Sequence, residues 1–220
     1  EKGHRDSILQ IMIHSVDRKE EIWVYYGKGV LPMKIGCVLM AAGFGHRFGG
    51  NKLTAELGCG ETLIDRALST IPADKLDRVV VVTQYPQVAA PAEKYGFTSL
   101  HNPHPERGQS ESIRIGLAAL EDCDAVLFLV ADQPKLQKET VSRLLDFAAA
   151  HPDRIVGLGH NGRRGNPCLF PARFFPELMA LTGDCGGRSV ILAHEDDLLL
   201  LEVPSSQLID IDTPEQLEKL

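Results

Sequence analysis

Leu39-Met40-Ala41-Ala42-Gly43-Phe44-Gly45-His46-Arg47-Phe48-Gly49-Gly50-Asn51-Lys52 overlaps the end of an apolar run that starts at Ile35. That run, Ile35 to Met40, reads as a buried parallel strand, and the stretch after it packs four glycines and two cations into a short turn. Glycines admit positive φ and let backbone N–H groups converge on an anion, while Arg47 and Lys52 can neutralise what the backbone cradles. The loop therefore reads as a phosphate cradle suited to a triphosphate.

Two better-known phosphate motifs fit poorly. A P-loop needs Gly directly before its Lys and Ser or Thr directly after, to put a hydroxyl on magnesium; here Asn51 precedes Lys52 and Leu53 follows. A dinucleotide fingerprint tolerates Gly43-x-Gly45 but wants an acidic residue at the end of the next strand, which instead closes on Thr83-Gln84.

Downstream, Leu63 to Leu68 predicts a helix and Arg78 to Thr83 a valine-rich strand, so strand, helix and strand make a βαβ unit. Val88 to Tyr95 predicts the next helix. Phe97 to Leu100 predicts a short strand entering a loop with His101 and His104, read as ordinary loop histidines because no third ligand lies nearby. A helix from Gln109 through Leu120 follows, with Ile113, Gly116, Leu117 and Leu120 on one face. Asp124 to Val130 is the third strong strand and runs straight into Ala131-Asp132-Gln133-Pro134. A carboxylate at the carboxyl end of a central strand sits where open α/β sheets bind ligands, and a hard oxygen donor beside a triphosphate suits magnesium, which makes Asp132 a candidate metal ligand.

Glu139 to Ala150 is an amphipathic core helix and Ile155 to Gly159 another strand. Arg163 and Arg164, in the segment leading to Cys168-Leu169-Phe170, suit either an anionic substrate or a solvated turn. Phe174 to Leu181 predicts a helix, and Gly183-Asp184-Cys185-Gly186-Gly187-Arg188 precedes another at Ser189 to Ala193, as a second candidate anion site. After a strand at Leu198 to Val203, Thr213, Pro214 and Gln216 form a capping box. Alternation brings Asp210 and Asp212 to the same side of an extended chain, so either can face the metal.

These motifs, in order from Met33 to Leu220, resemble the nucleotidyltransferases that activate molybdenum cofactor, whose signature loop is Ala-Ala-Gly-x-(Ser/Gly)-x-Arg-x-Gly-x-x-Lys. The Ala41-Ala42-Gly43 start and the Asn51-Lys52 ending resemble the cytidylyltransferase branch more than the guanylyltransferase branch. The resemblance implies a three-layer α/β/α sandwich with a mostly parallel, Rossmann-like sheet of nucleotide-diphospho-sugar transferase type. It implies that Ala41, Ala42, Gly43 and Gly45 bind the nucleotide, that Gly108 and Ser112 meet its base, and that Arg47 and Lys52 are the catalytic cations. The pattern Asp-x-Asp-Thr-Pro makes Asp212 the second metal ligand beside Asp132, and Asp184 and Arg188 become the candidate acceptor site. Ala131 stands where the family usually has Gly.

The activity so implied is transfer of CMP from CTP to the phosphate of molybdopterin with release of pyrophosphate, with Mg2+ as cofactor and a molybdenum hydroxylase apoenzyme as partner. A same-fold enzyme using GTP, or acting on a sugar or isoprenoid phosphate, is the nearest alternative. A non-catalytic nucleotide-binding chaperone differs in releasing no pyrophosphate, and a dehydrogenase would bind nicotinamide.

At 220 residues and 44% hydrophobic, the chain has enough apolar material for one substantial core. A net charge of −7 with no dense basic patch argues against nucleic acid, and no apolar run has membrane-spanning or signal-peptide character, so a cytoplasmic location is expected. Five scattered cysteines without a Cys-x-x-Cys support neither disulfides nor structural zinc; Cys37 and Cys168 read as small buried hydrophobes and Cys185 as the exposed one. Residues 1–32 lie outside the signature: Ile8 to Val16 and Ile22 to Tyr26 predict two strands around a charged turn, a hairpin-like extension ahead of a nucleotidyltransferase domain at 33–220.

Overall fold

The structure is a computed structural model and describes residues 9–14, 21–26, 33–58 and 60–220. It divides into two compact units, Glu1–Met33 and Lys34–Leu220. In the first, β1 (Leu9–His14) and β2 (Glu21–Tyr26) pair antiparallel from Leu9 opposite Tyr26 to His14 opposite Glu21.

The second unit opens with β3 (Ile35–Ala41), whose fully apolar run is buried because sheet neighbours flank it and helices cover both faces. A small antiparallel pair, β4 (Glu56–Gly58) and β5 (Glu61–Thr62), leads into α1 (Leu63–Ser69); no reading of the sequence anticipated this pair. Thr62 and Asp65 form a reciprocal capping box at the start of α1. Then come β6 (Arg78–Thr83), α2 (Pro86–Lys94), β7 (Thr98–His101), α3 (Gln109–Ala118), β8 (Ala125–Val130), α4 (Lys138–Ala149) and β9 (Ile155–His160). The chain finishes with β10 (Arg163–Pro171), α5 (Phe175–Met179), α6 (Arg188–Ala193), β11 (Leu198–Glu202) and α7 (Pro214–Leu217), the last capped by Thr213 and Gln216 as the sequence predicts.

Seven strands form one sheet in the order β11-β9-β10-β8-β3-β6-β7. All neighbours run parallel except β10, which is antiparallel to both β8 and β9. Val38, Val80, Val82, Val126 and Phe128 face one side, where Ile113 and Leu117 of α3, Leu178 of α5 and Ile191 of α6 pack on them. The alternate residues Leu39, Val81, Leu127 and Leu129, also fully buried, face the other side, covered by α1, α2 and α4. This is the three-layer sandwich with a mostly parallel sheet that the motif order implies. Gly116 sets the spacing of α3, since a Cβ there would come within 2.6 Å of Val38, and the close approach carries the start of α3 to the carboxyl end of the sheet.

The helix predicted over Phe174 to Leu181 is shorter: Ala172–Phe174 is a 3-10 turn, and Pro176 sits in the first turn of α5, where its missing N–H costs nothing. Cys37, Cys123 and Cys168 are buried and Cys185 is exposed, while Cys59 lies outside the described residues. Burial pushes the Cys37 thiol far above its ordinary value, as for an inert core residue. Among the described residues, no helix is long and apolar enough to cross a membrane.

Candidate active site

The sheet changes its direction of growth at β3, because β6 and β7 add to one side of it and β8 to the other. The crevice beyond the carboxyl ends of β3 and β8 is thus a topological switch point, where open α/β sheets bind ligands. A cavity of about 680 Å³ occupies it. Ala41 lines it from the last position of β3, Ala42, Gly43, Gly45, Arg47 and Lys52 from the segment that follows, Asp132 from just past β8, and Asp212 from the segment before α7. Gly108, Ser112 and Asp184 close its other end. Arg188, the first residue of α6, is exposed and does not line this cavity.

The glycine loop is held from behind by the residues that follow β6. Thr83 Oγ1 donates to Ala41 O at 2.9 Å, Gln84 Nε2 to Ala42 O at 2.7 Å, and Tyr85 Oη to Gly43 O at 3.1 Å. With those carbonyls drawn toward β6, each planar peptide turns its N–H the opposite way. Among the described residues, no N–H from Gly43 to His46 donates to a protein acceptor. Gly45 has φ 63°, and a Cβ there would fall 2.1 Å from Gly50 O, so only glycine lets the loop fold back on itself. Gln84 therefore braces the loop, where a dinucleotide site would offer an acidic ribose ligand.

Lys52 is placed by a 3-10 turn, Lys52–Thr54, which Asn51 caps by accepting from Leu53 N at 3.1 Å and which buried Leu53 anchors. Its ammonium donates to Asp132 Oδ2 at 2.7 Å, Ile211 O at 2.8 Å and Asp212 Oδ1 at 3.1 Å. Burial alone would lower its pKa; the carboxylates of Asp132 and Asp212 outweigh that and raise it, so Lys52 stays charged. Arg47 pairs with the other oxygen of Asp212 at 2.9 Å while remaining 77% exposed, free to turn to a ligand. Ile211 N bonds to Asp132 O at 2.9 Å, which pins the segment before α7 beside the end of β8.

Asp210 and Asp212 flank buried Ile211 and diverge in what they serve. Asp212 takes the two cations, whereas Asp210 accepts from Gln133 Nε2 at 2.9 Å. Burial first, and then the nearby Asp132 carboxylate, raise the Asp210 pKa above the ordinary value even though Gln133 hydrogen-bonds it.

The donor set fits a divalent cation. Asp132 Oδ1 is buried with no hydrogen-bond partner, which an unshared carboxylate oxygen inside a protein rarely tolerates. Charge points the same way: Arg47 and Lys52 face Glu106, Asp132, Asp184 and Asp212 across the cavity, so a polyphosphate needs further positive charge to enter. Among the described residues, no three His, Cys, Asp or Glu side chains could hold a metal by themselves. One or two carboxylates can nevertheless hold a divalent cation together with substrate phosphates.

At the far end, Gly108 takes φ 78°, and a Cβ there would lie 2.6 Å from Asp184 Cα. Asp184 Oδ1 accepts weakly from Gln109 N at 3.4 Å and Gly183 O from Ser110 N at 3.3 Å, so Gly183-Asp184 caps the start of α3. Asn102, 1% exposed, donates from Nδ2 to Ser112 Oγ at 3.1 Å and lines the cavity beside it. Sequence reasoning missed Asn102, Gln84 and Tyr85, since a polar residue just past a strand carries no periodic signal.

The model of the MobA-like NTP transferase domain matches residues 37–198. Purine catabolism protein PucB of Bacillus subtilis (strain 168) is 31% identical over 198 residues, covering 84% of this chain and 94% of that protein. Nicotine blue oxidoreductase of Paenarthrobacter nicotinovorans is 31% identical over 202 residues, 86% and 97% of the two chains. The crystal structure of Rv0371c from Mycobacterium tuberculosis H37Rv shares the fold with a TM-score of 0.73 at 22% identity, over 86% of this chain and 98% of that one. A manganese complex of Rv0371c superposes with a TM-score of 0.67 at 22% identity, over 85% and 97%. The glycine loop braced from β6, the cations and carboxylates gathered at the switch point, and these matches agree: the chain belongs to the MobA-like NTP transferase family and is a nucleotidyltransferase.

Proposed function

We propose that the protein transfers CMP from CTP to the phosphate of molybdopterin and releases pyrophosphate. The observation that carries this reading is the meeting of the Gly43–His46 N–H groups, Arg47, Lys52, Asp132 and Asp212 in one cavity at the switch point. Its volume, about 680 Å³, lies within the range of pockets that enclose a nucleotide-sized ligand. An oxygen of the acceptor phosphate attacks the α-phosphorus, the bond to the bridging oxygen of the β-phosphate breaks, and that oxygen leaves with pyrophosphate. No general base is needed, because the attacking phosphate oxygen is already anionic at neutral pH.

The chain's contribution is positioning and charge. Backbone N–H groups of the glycine loop and the guanidinium of Arg47 receive the β- and γ-phosphates, and Lys52 leaves its carboxylates to neutralise the departing pyrophosphate. Asp132 and Asp212 would hold Mg2+, which when bound supplies the positive charge that joins the two anions. The manganese complex of Rv0371c supports a divalent metal in this family. Cytosine is favoured because the Ala42 methyl lines the cavity where a purine needs more room.

A panel of the four nucleoside triphosphates with Mg2+, with pyrophosphate release measured with and without molybdopterin, tests the reading. CTP-dependent release that requires molybdopterin is expected, and Ala42→Gly should relax the preference against GTP more than it changes kcat. A preference for GTP removes the cytidylyl assignment, and release indifferent to molybdopterin removes the acceptor.

A further inference from the structure

Asn102 and Ser112 line the cavity at the switch point although each is almost fully buried, at 1% and 5% exposure. We propose that Asn102 is a positioning residue for base recognition: it fixes the Ser112 hydroxyl as a hydrogen-bond donor into the cavity, so that a bound base must present an acceptor there. The role of Asn102 rests on the nucleotidyl transfer proposed above.

The cavity is built with two unlike ends. The Gly43–His46 N–H groups, Arg47 and Lys52 gather at the end suited to phosphates, and Gly108, Ser112 and Asp184 close the other. A triphosphate held at the first end leaves its base at the second, beside Ser112 at the fourth position of α3. Asn102 stands just past β7, where its N–H donates to Thr83 O at 2.8 Å. Thr83 in turn donates from Oγ1 to Ala41 O at 2.9 Å, so the backbone of Asn102 is tied to a residue that braces the glycine loop.

The direction of the Asn102 amide follows from its partners. A backbone N–H can only donate, and His104 N lies 2.9 Å from Asn102 Oδ1, so the amide oxygen faces His104 and the nitrogen faces Ser112. That nitrogen also can only donate, and it lies 3.1 Å from Ser112 Oγ. A serine hydroxyl ordinarily donates or accepts as its surroundings ask. Here Asn102 takes up one of its lone pairs, and among the described residues no acceptor takes the Ser112 proton. The neighbouring Ser110 hydroxyl differs, because it donates to Arg107 O at 3.3 Å.

A buried O–H without an acceptor is penalised, and the cavity that Ser112 lines is where a ligand can supply one. A carbonyl oxygen or an unprotonated ring nitrogen relieves the penalty, as the O2 and N3 edge of cytosine does. A ring N–H at the same place leaves two donors face to face. Asn102 thus acts on the base through Ser112 without touching it.

A double-mutant cycle on nucleotide affinity tests this, read by calorimetry on the full chain with CTP and Mg2+, and with tripolyphosphate as a ligand that has no base. Asn102→Asp keeps an oxygen for His104 N and turns a second acceptor toward Ser112, whose proton is then lost to the base. Asn102→Asp and Ser112→Ala should each weaken CTP binding about tenfold, and the double variant should bind within about twofold of either single one. Tripolyphosphate should bind all three within about twofold of the wild type, since it makes no base contact. Additive losses overturn the proposal, because Asn102 then acts independently of Ser112. Equal losses for CTP and tripolyphosphate overturn it too, because added charge or a disturbed fold is then the cause. Asn102→Ala carries the same cycle without the charge: Ser112→Ala should cost less in that background than in the wild type, and an unchanged cost overturns the coupling. The cycle needs no acceptor, so absence of transfer to molybdopterin sinks the functional reading alone, and a wild type that prefers GTP is put through the same cycle with GTP. A wild type that binds no nucleoside triphosphate overturns both.

Discussion

Replacing Lys52 with methionine keeps the aliphatic stem and removes only the charge that holds the two carboxylates together. The nearer contact, 2.7 Å to Asp132, has a raw Coulomb energy of about 6 kcal/mol at an effective dielectric constant of 20. The three side chains are 16%, 22% and 34% exposed, so screening and recovered hydration return most of it, leaving a net loss of stability of about 1–2 kcal/mol. Activity should suffer more. Loss of one preorganised cation from a phosphate in the transition state costs about 3–4 kcal/mol, roughly 100- to 1,000-fold in kcat/KM for CTP. A third consequence separates this placement from a general loss of function. The ammonium of Lys52 sits between the same oxygens that would hold the metal, so Lys52→Met should raise affinity for Mg2+ in the absence of nucleotide by about tenfold through removal of a competing cation. Thermal melts across a magnesium series read this without any turnover: the variant's Tm should climb at lower magnesium than the wild type's. If magnesium shifts neither protein, or kcat/KM stays within threefold of wild type, the placement of Lys52 and the metal in one carboxylate pair is wrong.

Asp132→Asn should abolish magnesium-dependent turnover, by about 1,000-fold, while nucleotide binding measured by calorimetry survives in part; unchanged turnover at the wild-type magnesium optimum would remove Asp132 from the site. Asp210 has a pKa raised by burial and by Asp132, so its stabilising protonated form is lost as pH climbs through that raised value, and the folded state is penalised at neutral pH. Asp210 is exposed at the surface, so screening discounts the effect: Asp210→Asn should raise Tm by at most about 1 °C at pH 7 and by nothing below pH ~4, and an equal shift at both values would contradict the cause assigned here.

Part of the fold is legible in the sequence. The apolar run from Ile35, the valines of β6 and the run from Ala125 to Val130 announce strands buried on both faces, and the Thr213–Gln216 box announces the start of α7. The glycine-loop cations and Asp132 could be named because their chemistry stands directly beside a strong strand. Arg188 could not be separated from Asp184 in this way: both belong to one glycine-rich motif, yet the fold puts Asp184 over the start of α3 and turns Arg188 outward.

Periodicity carries local information, because helix and strand patterns reflect which side chains each short segment must bury. The direction of β10 was decided only by the sheet, since an apolar run such as Cys168 to Phe170 satisfies a parallel or an antiparallel ladder alike. The same holds for the site. Lys52 meets Asp132 and Asp212 across 80 and 160 positions of chain, and the Thr83, Gln84 and Tyr85 donors brace carbonyls 42 residues away. Those meetings follow from strand order at the switch point, where β8 joins β3 on the side opposite β6. That order is a property of how whole layers pack, and no short window of residues carries it.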